Sequence, residues 1–156
     1  MNWRRVVEPF SRPLFFAWSR MTRGKTLGVR GIVLDDGGRV LLVEHTYLKG
    51  WHLPGGGVDA GETTEGAVVR ELREEAGVEA MGRPTLLSIH SSERLFRGDH
   101  VLVYRVDRWR KVPSSSHGEI LHAEFFAPDA LPEGTTRATR ERIFEALTGA
   151  EPALEW

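Results

Sequence analysis

Apolar and polar positions along the chain follow two different periods, which predict a mixture of strands and helices. Apolar-rich segments predict six strands, over residues 27–34, 40–43, 51–53, 84–91, 99–107 and 120–126. Helical spacing of apolar residues predicts two helices, over 64–76 and 135–148. This order of elements is neither a regular βαβ repeat nor an all-β chain. It therefore predicts an α+β fold in which helices pack on a mixed β-sheet.

Turn and capping residues add detail to these elements. The first two strands flank the turn-forming run 35–38, so they are expected to pair as a β-hairpin. Thr63 is a suitable N-cap for the helix over 64–76, and Gly77 is a typical residue for its C-terminal end. The buried stripe of this helix is predicted to contain Val68, Val69, Leu72 and Ala76.

An N-terminal extension, residues 1–26, precedes the predicted domain at 27–150. Apolar and aromatic residues recur there at near-helical spacing between arginines, and Pro9 and Pro13 restrict the predicted helix to 13–22. We expect this helix to pack on the domain or on a second subunit, in a homodimer. The alternative is a basic amphipathic segment on an anionic membrane. No apolar run reaches the roughly 20 residues that span a bilayer.

Charge is distributed unevenly along the chain. The net charge is −1, but residues 1–30 contain seven basic residues and one acidic residue. The remainder is therefore acidic, which argues against a broad surface for a nucleic acid polymer. The chain has no cysteine, which excludes disulfides, thiol catalysis and thiolate zinc sites. This composition is consistent with a cytoplasmic protein.

The most informative segment, residues 56–78, is a glycine-rich loop followed by a helix that carries many carboxylates. Glu71, Glu74 and Glu75 have i, i+3 and i+4 spacing, which places them on one helix face. Like charges at such spacing repel by roughly 0.2–0.5 kcal/mol per pair on a surface helix. The arrangement therefore has no structural benefit by itself. It suits a hard divalent cation such as Mg²⁺, which prefers oxygen ligands.

The spacing of these residues resembles the signature of the Nudix (MutT-like) hydrolase family. Every fixed position of the signature is matched, in the order Gly56, Glu62, Arg70, Glu71, Glu74, Glu75 and Gly77. The preceding run 51–56, Trp-His-Leu-Pro-Gly-Gly, is similar to the usual lead-in of that family. The resemblance implies the Nudix fold, an α/β/α sandwich with a mixed β-sheet between helices, over residues 27–148.

The same resemblance implies a Mg²⁺-dependent pyrophosphohydrolase, with Mn²⁺ as the alternative cation. Metal-activated water would cleave the P–O–P linkage of a nucleoside diphosphate linked to another moiety. Among small nucleotides, a nucleoside triphosphate is preferred over dinucleoside polyphosphates, ADP-ribose and nucleotide sugars. One alternative is a catalytically silent Nudix-fold sensor of nucleotides, against which the complete set of glutamates counts. The other is an interaction protein that docks through its basic N-terminal segment.

The resemblance assigns expected roles to the matched residues. Glu71 and Glu75 would be the main metal ligands, and the backbone carbonyl of Gly55 or Gly56 would complete the coordination. Glu74 would be a third ligand or the general base.

Three further charged residues belong to the expected site. Arg70 would orient the carboxylates, so that Arg70, Glu71 and Glu74 form the expected catalytic set. Glu62 would pair with Arg70 or act as a stabilising anion at the helix N-terminus. Glu119, after the loop 113–118, is a candidate for a further metal ligand; as an alternative, it is a solvated loop charge.

Three aromatic residues are candidates for binding the base of a nucleotide. Tyr47, Trp51 and Phe96 lie in or near predicted loops, where a base could stack on their rings. Each also suits a place in the core or at the rim of a site. The six histidines show no metal-binding spacing.

Overall fold

The computed structural model describes residues 24–116 and 118–156. Its strands are β1 Thr26–Val33, β2 Val40–His45, β3 Trp51–His52, β4 Val78–Ala80, β5 Thr85–Ser91, β6 Asp99–Val106, β7 Trp109–Lys111 and β8 Ile120–Phe126. Its helices are α1 Thr64–Ala76 and α2 Arg137–Thr148. The helix predicted over 13–22 lies outside the described residues and stays a prediction, as does the domain boundary near residue 27.

The strands form mixed pairings, which confirms the predicted α+β class. β1 pairs in parallel with β6, and β6 pairs antiparallel with β5. β2 pairs antiparallel with both β3 and β8. The sequence does not predict β4 and β7, which are three residues each and pair antiparallel with one another. Strands this short carry too little periodicity to be recognised.

The two helices pack on opposite faces of the strands. Neighbouring residues of a strand point to opposite sides, so β1 supplies both layers of the core. Val29 and Val33 belong to a core cluster that includes Leu72 of α1. Ile32 belongs to a second cluster that includes Ile143 of α2. This layering is the α/β/α sandwich that the family resemblance implies.

The predicted hairpin between β1 and β2 is wrong. A turn does form over 35–38, but only Leu34 and Val40 bridge the two strands. The glycine-rich segment occupies the edge of β1 that a hairpin would require. There, Val29 N donates a hydrogen bond to Gly56 O (2.8 Å). Because β6 occupies the other edge, β1 has no edge available for β2.

The predicted helices form with small adjustments. Thr63 Oγ1 accepts a hydrogen bond from Gly66 N (3.0 Å), and Gly77 ends α1 with φ of 60°, as predicted. Val69 is only half-buried, whereas Ala67 is fully buried. In the described part of the chain, neither helix is long and apolar enough to cross a membrane.

Candidate active site

The glycine-rich loop brings backbone atoms against the carboxylates of α1. Gly55 has φ of +142°, and a Cβ at this position would lie 2.1 Å from Val29 O, so glycine is required here. With no side chain in the way, Gly55 N donates a hydrogen bond to Glu75 Oε2 (2.8 Å). A Cβ at Gly56 would lie 2.4 Å from Glu71 Oε1. The two glycines therefore allow Glu71 and Glu75 to lie directly against the loop.

Glu75 is a buried carboxylate with an unusual protonation equilibrium. Its side chain is 12% exposed, and its Oε1 lies 3.7 Å from His45 Nε2. Burial raises the pKa of Glu75 from 4.5 to about 7, and the charge of Glu71 adds to this rise, whereas the hydrogen bond from Gly55 opposes it. The site therefore concentrates more negative charge than its own cations neutralise.

Arg70 ties the loop and the helix together. It donates through Nη1 to Glu71 Oε1 (2.7 Å), through Nε and Nη2 to both oxygens of Glu62 (3.0 Å each), and through Nη2 to Gly57 O (3.1 Å). Its Nη1 also lies 3.5 Å from Glu74 Oε2. The hydrogen bonds that Arg70 donates to Glu62, and next those to Glu71, raise its pKa well above the ordinary value, although burial opposes them. The predicted neighbours of Arg70 are thus all brought together.

The donor set suits a hard cation, although no coordination shell is formed in advance. Among residues 24–116 and 118–156, no three Asp, Glu or His side chains already form a metal-binding cluster. Carboxylate oxygens of Glu71 and Glu75 nevertheless lie beside the same loop backbone, and the raised pKa of Glu75 marks the charge that a cation would neutralise. Glu74, with its side chain 47% exposed, lies on the solvent side of this group.

Arg30 is a further charged residue near the carboxylates and belongs to no motif in the sequence. Burial lowers the pKa of the Arg30 guanidinium, and the charges of Glu75 and Glu71 act against that effect. The available signal was an arginine inside an otherwise apolar strand, since Arg30 lies between Val29 and the Gly31–Val33 run. A charged residue at such a position usually has a partner or a function.

Two histidines also line the site. His45 is buried, and this burial is the main reason that the pKa of its imidazole falls from 6.5 to about 4. The neighbouring groups His52 and Arg30 lower this pKa further. The His52 ring lies 5.9 Å from the His45 ring between centroids. Burial also lowers the pKa of His52.

Glu119 and Tyr47 lie close to the carboxylates. Thr46 N donates a hydrogen bond to Glu119 O (2.9 Å), which anchors the loop after residue 113 at the end of β2. Burial raises the pKa of Tyr47, and the charges of Glu75 and Glu119 add to this rise. Glu119 also adds to the effect of burial on the pKa of Glu75. The Tyr47 side chain is 65% exposed, and its ring centroid lies 5.2 Å from that of His45. A nucleotide at the carboxylates could therefore reach Tyr47.

The other two aromatic candidates lie in the second core cluster and in the loop 92–98. Trp51 packs edge-on against Phe126, with 4.8 Å between ring centroids, in the second core cluster. Because adjacent residues of a strand face opposite sides, Trp51 points away from His52. Phe96 is 71% exposed in the loop 92–98.

A cavity adjoins the site through His52. Its volume is about 540 Å³, and its walls include His52, Leu95, Trp156 and the first residues of α2. A larger groove of about 660 Å³ lies beside β7 and the turn at 35–36, and none of the matched acidic residues lines it. No matched acidic residue lines the first space either, and the residue that it shares with the site is His52.

Comparisons with known proteins agree with this geometry. The NUDIX domain family model matches residues 24–147. A MutT-like protein of Streptomyces ambofaciens is 30% identical over 127 residues, which cover 81% of this chain and 80% of that protein. The crystal structure of a MutT NUDIX hydrolase from Burkholderia pseudomallei superposes with a TM-score of 0.66 at 30% identity, covering 77% of this chain and 96% of that one. An RNA pyrophosphohydrolase of Acinetobacter baylyi is 47% identical over 49 residues, 31% of this chain and 30% of that protein.

The α/β/α fold and the carboxylate-bearing helix beside a glycine-rich loop define a Nudix-type hydrolase. The chain belongs to the Nudix family and is MutT-like. It is a hydrolase of phosphoanhydride bonds.

Proposed function

We propose that this protein is a Mg²⁺-dependent pyrophosphohydrolase that cleaves the P–O–P linkage of a nucleoside diphosphate linked to another moiety, with a nucleoside triphosphate as the preferred substrate. The observation that carries this proposal is the buried Glu75 carboxylate, which lies with Glu71 against the glycine-rich loop and has its pKa raised to about 7. A divalent cation would neutralise this excess of negative charge.

Glu71 and Glu75 would hold the cation, together with a backbone carbonyl at Gly55. Glu74 and Glu119 are the further oxygen donors within reach of the same region. When bound there, Mg²⁺ neutralises charge on the phosphates and lowers the pKa of a coordinated water.

The remaining polar residues would position the substrate and move the proton. Glu74 is half-exposed on the solvent side, so its carboxylate can take the proton from the attacking water. Arg70 holds the Glu71 carboxylate and fixes the loop through Gly57 O. Arg30 supplies a positive charge next to Glu75, where it can stabilise the negative charge that develops on phosphate oxygens.

The nucleoside would occupy the cavity that adjoins His52. Tyr47 lies next to His45 at the carboxylate end of this region and remains our candidate for contact with the substrate. Trp51 would support strand β3 from the core side. Phe96 follows Leu95, which lines the cavity, and remains a candidate for contact with the base. We further propose a cytoplasmic location, which the absence of cysteine supports.

The test is release of phosphate or pyrophosphate from a panel of nucleotides. The panel contains nucleoside triphosphates, dinucleoside polyphosphates, ADP-ribose, nucleotide sugars and an RNA oligonucleotide with a 5′-triphosphate. Each is assayed with Mg²⁺, with Mn²⁺ and with chelator, and an added pyrophosphatase reveals pyrophosphate. Turnover that requires the cation, highest with nucleoside triphosphates, is expected. Metal binding without turnover of any substrate would favour the nucleotide sensor instead.

A further inference from the structure

The C-terminal segment, residues 150–156, is built into the edge of the β-sheet. Ser91 N in β5 donates a hydrogen bond to Leu154 O (2.8 Å), and Trp156 N donates one to Ser91 O (2.9 Å). Glu155 thereby forms a parallel bridge with Ser91. The segment therefore extends the sheet beyond β5.

A buried ion pair of α2 fixes the same segment from the other side. Arg142 is 1% exposed and donates to Glu145 Oε1 (2.7 Å) and to Glu155 O (3.1 Å). Glu145 Oε1 in turn accepts a hydrogen bond from Ala153 N (3.0 Å). A buried arginine placed on main-chain atoms in this way holds the segment in one position.

This fixed segment forms one wall of the cavity that adjoins His52. Ala153, Glu155 and Trp156 line the cavity on one side, and Leu95 lines it as well. The Trp156 ring is partly exposed, and Cζ of Arg142 lies 5.7 Å from the centroid of this ring. One aromatic ring is thus positioned on a firm support at the edge of an apolar space.

The charged residues around the cavity neutralise one another. Arg94 Nη2 lies 2.9 Å from Glu155 Oε2, and Arg137 Nε donates to Glu141 Oε1 (2.6 Å). Among the described residues of the cavity wall, each arginine therefore has a carboxylate partner. An apolar, charge-balanced space with an aromatic wall fits an uncharged base.

We propose that residues 153–156 form the base-binding wall of the substrate cavity and that Trp156 stacks on the base of the nucleotide. The proposal rests on the proposed function, because it assumes that the phosphates of the same molecule lie at the carboxylates. Trp156 then determines affinity for the nucleoside part of the substrate, whereas cleavage is left to the residues of α1.

The experiment compares two ligands with and without a base. Binding of guanosine 5′-(α,β-methylene)triphosphate and of ribose 5-(α,β-methylene)triphosphate, which has the same bridge but no base, is measured by calorimetry on the full chain, with Mg²⁺ present. Stacking of one base on an aromatic side chain corresponds to a roughly 5- to 150-fold change in affinity upon substitution by Ala. Trp156→Ala is expected to weaken binding of the nucleotide by this factor and to leave binding of the ribose analogue unchanged. Trp156→Phe, which keeps a ring, should retain most of the affinity.

Two further variants keep the test decisive if Trp156→Ala does not fold. Leu95→Ala changes a 68% exposed residue on the cavity wall and should weaken nucleotide binding several-fold. Phe144→Ala changes a comparably exposed residue of α2, 61% exposed and outside this cavity, and should have no effect.

The outcomes separate this proposal from the function on which it rests. Unchanged nucleotide binding in Trp156→Ala or Leu95→Ala, while the wild type turns over nucleotides, would overturn the base-binding wall alone. Equal loss of both ligands would also overturn it, since the tryptophan would then have a structural role only. A wild-type protein that neither binds nor hydrolyses nucleotides would overturn both proposals.

Discussion

Replacing Glu75 by Gln should stabilise the metal-free protein at alkaline pH, although it removes a proposed ligand. Glu75 is 12% exposed and lies near the charge of Glu71, so its ionised form is disfavoured in the fold. The pKa of Glu75 is about 7 in the folded state, compared with an ordinary value of 4.5. A neutral amide of the same shape avoids the cost of burying this charge.

The magnitude follows from the two pKa values. Their difference corresponds to about 3 kcal/mol at roughly 1.4 kcal/mol per tenfold change in the proton equilibrium. An amide oxygen accepts a weaker hydrogen bond from Gly55 N than a carboxylate does, which leaves a net gain of about 2 kcal/mol for Glu75→Gln.

The stabilisation by Glu75→Gln should increase with pH. Between pH 4.5 and about 7 the folded state binds more protons than the unfolded state, because the pKa of Glu75 is raised on folding. The contribution of Glu75 to stability is therefore present below pH 4.5 and is lost as the pH rises through 7. Glu75→Gln does not titrate, so its advantage over the wild type should be complete at pH 8 and nearly absent at pH 4.5.

Urea denaturation in the presence of chelator measures this difference. Wild type, Glu75→Gln and the control Glu133→Gln are unfolded at pH 8 and at pH 4.5. Glu133 is an exposed residue, for which the free energy of unfolding should change by less than about 0.5 kcal/mol. A Glu75→Gln protein that is less stable than the wild type at pH 8, or equally stabilised at both pH values, would refute the reasoning.

Three further predictions concern the loop and the helix. Gly55→Ala should lower the free energy of unfolding by more than about 3 kcal/mol in urea denaturation, because its Cβ would lie 2.1 Å from Val29 O. Gly56→Ala should keep the fold, since only the end of the Glu71 side chain is displaced, but should lower kcat at least tenfold in the phosphate-release assay. Glu74→Gln should lower kcat by about 10²–10⁴-fold at unchanged thermal stability, as expected for loss of a general base. Full activity in Gly56→Ala or Glu74→Gln would contradict the proposed roles.

The sequence predicts the local elements well because their signals are local. The ends of α1 depend on a capping threonine and a left-handed glycine, Thr63 and Gly77, both of which act on their immediate neighbours. The clustering of Glu71, Glu74 and Glu75 likewise follows from helical spacing alone.

The pairing of strands is harder to predict because it depends on distant residues. A turn over 35–38 suggests a hairpin, but the adjacent edge of β1 is occupied by the loop around Gly56, which no local pattern reveals. In the same way, the pairing of β1 places Arg30 near the carboxylates. The bridge between Ser91 and Glu155 places Trp156 at the cavity. Trp51 packs against Phe126 in the second core cluster, a contact between distant residues that no local pattern reveals, and its role in binding stays a prediction.

The central claim is that Glu71 and Glu75 hold the divalent cation on which hydrolysis depends. The most direct measurement is Mn²⁺ binding followed by electron paramagnetic resonance, with turnover of a nucleoside triphosphate recorded in the same samples. Wild type should bind Mn²⁺ and lose turnover in chelator, and Glu71→Gln/Glu75→Gln should lose both binding and turnover while remaining folded. Metal-dependent turnover that persists in the double variant, or wild-type turnover that persists in chelator, would contradict the account.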